Sequence, residues 1–71
     1  MIEFSDSFKK VEPVDSGYRI LFEKHAGVYY LKNDSPDFDD LEKRLLSCGV
    51  GDRVQVTALS WSLHITDLIR L

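Results

Sequence analysis

SPDFDDLEKRLLSCGVG, residues 35–51, declares a helix at both ends and along one face. Ser35 or Asp34 can accept a hydrogen bond from the unpaired amides of a first turn, and Pro36 falls where a missing N–H costs nothing. Asp37, Asp39 and Asp40 then set negative charge at the positive end of the helix dipole, with Lys43 and Arg44 nearer the other end. Phe38, Leu41, Leu45 and Cys48 recur at helical spacing and draw one apolar stripe, broadened by Leu46, that leaves Glu42, Lys43 and Ser47 off it. Gly49 is placed to take the left-handed conformation that ends a helix, with Val50 folding back onto Leu45. A helix apolar on a single face needs a surface to cover, and the flanking segments read as the strands that supply it.

Upstream, Val28–Lys32 (VYYLK) and Tyr18–Lys24 (YRILFEK) are rich in aromatic and branched residues and read as strands. Asp15-Ser16-Gly17 and His25-Ala26-Gly27 both read as three-residue turns with glycine third. That loop length sets Val14 opposite Tyr18 and Lys24 opposite Val28, and it gathers Ile20, Phe22 and Tyr30 on the face expected to be buried. Phe8–Val14 (FKKVEPV) is a strand whose Pro13, with no N–H to give, belongs at an edge or a strand end. Residues 1–7 read as a short edge strand or an ordered tail, because Ser5, Asp6 and Ser7 break the alternation that Ile2 and Phe4 begin. Downstream, Gly51-Asp52 turns the chain into Arg53–Ala58 (RVQVTA), with Val54, Val56 and Ala58 inward. A loop of Leu59–Ser62 sets Ala58 opposite Leu63 and Val56 opposite Ile65. Continuing that register points Asp67 inward, so a bulge near Thr66 and Asp67 is expected.

The elements follow as β-β-β-α-β-β, a single small α+β domain over residues 1–71 with one helix packed on an antiparallel sheet of about five strands. In the order of its elements the chain resembles the OB-fold Greek-key barrel. An open antiparallel sheet with the helix across one face satisfies the same order. The resemblance implies a ligand face on the second and third strands, beside the loop after the fourth, which would bring Arg19, Tyr29 and Trp61 into one neighbourhood.

Composition narrows the chemistry. Seventy-one residues bury a limited core, so association is one route to stability. A net charge of −3 with no basic block lacks the electrostatic footprint of nonspecific nucleic-acid binding. A single cysteine excludes an internal disulfide; Cys48 falls on the apolar stripe as a buried, inert thiol, and with only His25 and His64 beside it in the sequence inventory no Cys/His metal cluster can form. Asp34, Asp37, Asp39 and Asp40 read as helix-start capping rather than a calcium or magnesium site. His25, in a turn, and His64, on a late strand, read as solvated or packing residues. Gly49 and Gly51 flank a helix C-terminus, where the dipole repels anions, so they are no phosphate loop. An enzyme is not expected, nor a cofactor or metal. No basic-then-apolar leader opens the chain and no stretch approaches the ~20 apolar residues of a membrane span, so a cytoplasmic location is expected, with no membrane partner.

What remains points to binding. Trp61 stands between Ser60 and Ser62 in a loop, either as an exposed anchor or folded over the end of the core. Acidic charge, small size and leftover apolar surface favour a non-catalytic protein-interaction or self-association module, with a protein or a second copy as partner. The alternative is an OB-like single-stranded nucleic-acid binder using Arg19, Tyr29 and Trp61, since stacking and cationic groups are what a single strand requires; acidic charge disfavours it. A small-molecule site in a barrel mouth is a third expectation.

Overall fold

Ile2, Phe4, Asp6 and Phe8 alternate with Glu3, Ser5 and Ser7, and that alternation runs on: in the computed structural model, which describes residues 1–71, Ile2–Val14 form one strand of 13 residues, β1. It is followed by β2 (Gly17–Phe22), β3 (Tyr29–Lys32), the helix α1 (Phe38–Leu46), β4 (Arg53–Ala58) and β5 (Ile65–Arg70). The strands make one antiparallel sheet in the order β3-β2-β1-β4-β5. Its first four members, with β4 returning past α1 to lie beside β1, have the 4-1-2-3 arrangement of a Greek key. Ile2–Ser7 are therefore no tail: they pair with β4 on one side, Phe4 facing Val56 and Asp6 facing Val54, while the ladder with β2 begins only at Phe8.

The two halves of β1 have different partners. Ile2–Ser7 pair with β4, whereas Phe8–Val14 pair with β2, and the register slips by one residue at Lys9 between Phe8↔Phe22 and Lys10↔Leu21. The slip is a bulge, and it turns Val11 and Pro13 to the inner face that Asp6 and Phe8 occupy before it. Pro13 lies where β1 has a strand on one side only, as its missing N–H demands.

Both turn lengths differ from expectation. Asp15 and Ser16 alone close the first hairpin, so Gly17 pairs with Val14 and Tyr18 with Pro13. Gly17 (φ 138°) has passed into the strand, where a Cβ would collide with the Leu31 carbonyl oxygen. The second connection runs from Glu23 to Val28, because Lys24 and His25 leave the ladder to bond Asp6. The resulting register, Ile20↔Tyr29 and Tyr18↔Leu31, puts Ile20, Phe22, Tyr29 and Leu31 in the core. Tyr30, expected inside with Ile20 and Phe22, takes the outer face instead.

Beyond the helix, Val54, Val56 and Ala58 are fully buried, as their alternation requires. The β4–β5 connection spans Leu59–His64, so Ala58 meets Ile65, two residues later than a four-residue loop would give. Thr66 is then the extra residue of a bulge, Thr57 faces Asp67, and Leu68 returns to the core opposite Val56. The sheet curls until β3 meets the end of the β4–β5 connection through one parallel bridge, Tyr30–His64, where the Tyr30 N–H donates to the Leu63 carbonyl at 3.0 Å. One bridge does not close a barrel, and the sheet is open.

Helix α1 lies where its stripe predicts, with Leu41 and Leu45 buried and Phe38 and Cys48 packed at the margin of the core. Its ends are made differently. Pro36 and Asp37 sit in a turn closed by the Phe38 N–H on the Ser35 carbonyl (3.1 Å), so the helix begins at Phe38 and neither Ser35 nor Asp34 caps it; Asp37 is the N-cap residue without a side-chain bond. At the other end Ser47 Oγ (2.7 Å) and Cys48 Sγ (3.3 Å) both donate to the Arg44 carbonyl, which removes the need for a left-handed Gly49. The positive φ falls at Gly51 (94°), and Val50 stays exposed rather than covering Leu45. Arg44 ties the helix to β5 through Asp67 Oδ1 (3.2 Å) and the Leu68 carbonyl (3.1 Å).

Leu45→Ala is expected to lower unfolding free energy by about 2–5 kcal/mol, the usual cost of such a core deletion. Leu45→Asp should abolish the cooperative thermal transition seen by circular dichroism, and a sharp melt retained in that variant would contradict the role given to the helix stripe.

Candidate functional site

Three regions carry unusual side-chain arrangements. The first is the outer face of β2 and β3, where the register sets Arg19 opposite Tyr30. Lys32 Nζ stands 5.1 Å from the centre of the Tyr30 ring, and His64 meets that ring edge-on at 6.3 Å. Trp61, 77% exposed, lies in the loop that leads to His64. The backbone of this loop is held by Leu63 N–H to the Leu59 carbonyl (2.8 Å) and Leu59 N–H to the His64 carbonyl (2.9 Å). Leu63 takes a left-handed φ of 58°, a conformation that costs about 1 kcal/mol and is offset by the bond its carbonyl accepts from Tyr30.

Of the three residues expected to share a binding face, two are on the surface and one is not. Arg19 is on the outer face, but its guanidinium bonds Glu12 Oε1 at 2.7 Å. That bond, with the attraction between the two charges, raises the pKa of Arg19 and lowers that of Glu12. Tyr29 is 4% exposed, packed edge-on against Phe22 at 5.3 Å, and cannot stack with a ligand. The shorter first hairpin and longer second connection exchange Tyr29 for Tyr30. Trp61 is outside the core rather than capping it, and the Ser62 hydroxyl beside it is buried without a partner.

The second region is a buried acid. Asp6 occupies an inward position of β1 between Phe4 and Phe8 and is 2% exposed. Its carboxylate accepts the backbone N–H of Ser7 (2.7 Å), Lys24 (2.9 Å) and His25 (2.9 Å), and lies 2.6 Å from His25 Nδ1. Burial pushes the carboxyl up, but the His25 ring and the three amides outweigh it and hold the pKa at about 2. His25 also stacks on Phe4, ring centres 4.0 Å apart. The arrangement fastens the β2–β3 connection to the sheet. One face of the imidazole is covered by Phe4.

The third region is apolar. A groove of about 370 Å³ runs between the second half of β1 and the end of α1, its walls formed by Val11, Pro13, Tyr18, Leu46, Cys48 and Val50 over Leu45. Tyr18 donates its hydroxyl to Glu42 Oε2 at 2.8 Å, which raises its pKa and fixes the ring against Phe38 at one end. Leu46 and Val50 are 63% and 71% exposed on the rim. Beside the groove, β1 from Lys9 onward has β2 on one side and no strand on the other; Gly51 N–H bonds the Phe8 carbonyl (3.0 Å), and the covering stops there.

Nowhere do three or more His, Cys, Asp or Glu side chains converge in the manner of metal ligands. A cleft of about 370 Å³ between that turn and the β4–β5 loop is bounded by Asp37, Leu41, Leu59 and His64. No helix is long and apolar enough to cross a membrane. Comparison with protein-family models, with curated proteins and with solved structures finds no match to this chain.

The folded carboxyl of Asp6 lies near 2 against an ordinary 3.8, so its ionised form stabilises the fold above about pH 4 and that contribution drains away as pH falls through about 2. Denaturation midpoints of the protein and of Asp6→Asn are expected to differ most at neutral pH and to converge between about pH 4 and 2. A difference that stays constant over that range would contradict the assignment.

Proposed function

We propose that this domain is a non-catalytic protein-interaction module that receives an extended segment in the groove beside the second half of β1. One observation carries the reading: an apolar groove lies directly against a strand edge that has no partner. A peptide laid along such an edge gains main-chain hydrogen bonds from the edge and burial of alternate side chains from the groove. Two exposed aliphatic side chains at its rim, Leu46 and Val50, serve no packing purpose in the monomer and would lose their contact with water on docking. The net charge of −3 fits a protein partner better than a polyanion.

A second reading, single-stranded nucleic-acid binding in the OB manner, is favoured by the outer cluster of Tyr30, His64 and Lys32 near Trp61. Against it stands Arg19, already neutralised by Glu12.

Short extended peptides selected from a random library are expected to shift NMR signals of residues 9–14, Leu46 and Val50, and the paired change Leu46→Glu with Val50→Glu should remove that binding while leaving the melt intact. Trp61 fluorescence should be indifferent to single-stranded oligonucleotides even at low salt. Quenching reversed by salt, together with no peptide response at the groove, would overturn the first reading in favour of the second.

A further inference from the structure

The edge that β1 leaves open is complementary to itself. Asp15 and Ser16 form a two-residue turn, so Val14 and Gly17 are a hydrogen-bonded pair. Alternation then directs the backbone groups of Glu12 and Lys10 toward β2, and the N–H and C=O of Val11 away from it. The Tyr30 N–H, which the same alternation turns away from β2, bonds Leu63 as that parity requires. Val11 thus offers one donor and one acceptor at the open edge.

We propose that the partner of this edge is a second copy of the chain, joined antiparallel about a two-fold axis at Val11. This rests on the reading of the groove as a docking site and names its occupant. With Val11 opposite Val11 of the other copy, the two residues exchange N–H···O=C bonds, and Lys10 of each copy falls opposite Glu12 of the other. Both side chains are on the outer face and reach solvent, at 61% and 29% exposure. Glu12 Oε1 is held by Arg19 at 2.7 Å from the β2 side and lies 3.7 Å from Lys10 Nζ of its own chain, a looser pair that the second copy's Lys10 would compete with. The side facing the open edge is where the second copy's Lys10 arrives, so each interface row reads Arg19, Glu12, Lys10 with alternating sign. Opposite charges facing across strands stabilise the pair, and like charges destabilise it. A strand slipped by two residues in either direction loses this match, so the charges also select the register.

On the inner face the same axis brings the two Val11 side chains together and makes the two grooves continuous, with Leu46 and Val50 of both copies along the rim. Pro13 has no N–H and limits the ladder to a short central segment. The contact is isologous, so it closes at two copies and does not propagate.

Sedimentation equilibrium of the intact chain from about 10 µM to about 1 mM should show a reversible monomer–dimer equilibrium. Lys10→Glu and Glu12→Lys, each alone, set like charges across the axis and should weaken dimerisation by roughly tenfold or more at low salt. Mixing the two variants sets a chain that is acidic at both positions against a chain that is basic at both, and should restore association as a heterodimer. Thermal melts of both variants at dilute concentration establish that each is folded. A monomer at every concentration, single variants that associate like the parent, or a mixture no stronger than its components would each overturn the proposal. A monomeric chain that still takes selected peptides at residues 9–14 rejects self-pairing and keeps the docking reading; one that does neither rejects both.

Discussion

The shared pairing of β1 is the constraint on which the other elements depend. A single strand of 13 residues gives its first half to β4 and its second to β2, and the bulge at Lys9 marks the change. The bulge does two things at once. It bends the sheet so that β3, at one end of the strand order, reaches the connection that leads into β5, at the other end, and bonds Leu63 there. It also changes which parity faces inward, so that Phe8 before it and Val11 after it both turn to the helix side. Helix α1 then covers the concave face with Leu41 and Leu45, and Arg44 fastens it to β5. Because β4 stops at Ser7, the far half of β1 is left with an edge, and the functional proposals follow from that geometry.

Asp6 shows how this chain holds a connection that has no ladder of its own. A carboxylate in the core is costly unless its oxygens are satisfied. Here three amides and an imidazole satisfy them, and two of those amides belong to the start of the β2–β3 connection. A buried acid with its partners gathered on one loop specifies that loop's path more sharply than an apolar residue would. The cost of burial and the gain in hydrogen bonds are both read in its depressed pKa.

Much of this was legible in the residues. The helix stripe, the inward Val54, Val56 and Ala58 and the bulge at Thr66 follow from periodicity, because each side chain on those elements has one face to choose. The element order and the α+β class followed as well. What was hidden depends on contacts distant in sequence. Asp6 between Ser5 and Ser7 looks like a break, and only the continued alternation of Ile2, Phe4 and Phe8 hints that the acid points inward. The turn lengths depend on Lys24 and His25 bonding Asp6 and on Gly17 closing against Leu31, neither of which is local. From those lengths came the exchange of Tyr29 for Tyr30, and with it the loss of the expected trio of Arg19, Tyr29 and Trp61. The groove has no signature in the sequence, because its walls, Val11 and Leu46, are far apart in the chain.

Everything drawn from the open edge requires that residues 9–14 pair on one side only, and amide hydrogen exchange in dilute solution tests this residue by residue. The Lys10 and Glu12 amides, bonded to β2, should exchange slowly, whereas the Val11 amide between them should exchange quickly. A Val11 amide as protected as its two neighbours in the dilute monomer would mean that the edge is already covered, and would contradict both the geometry of β1 and the function drawn from it.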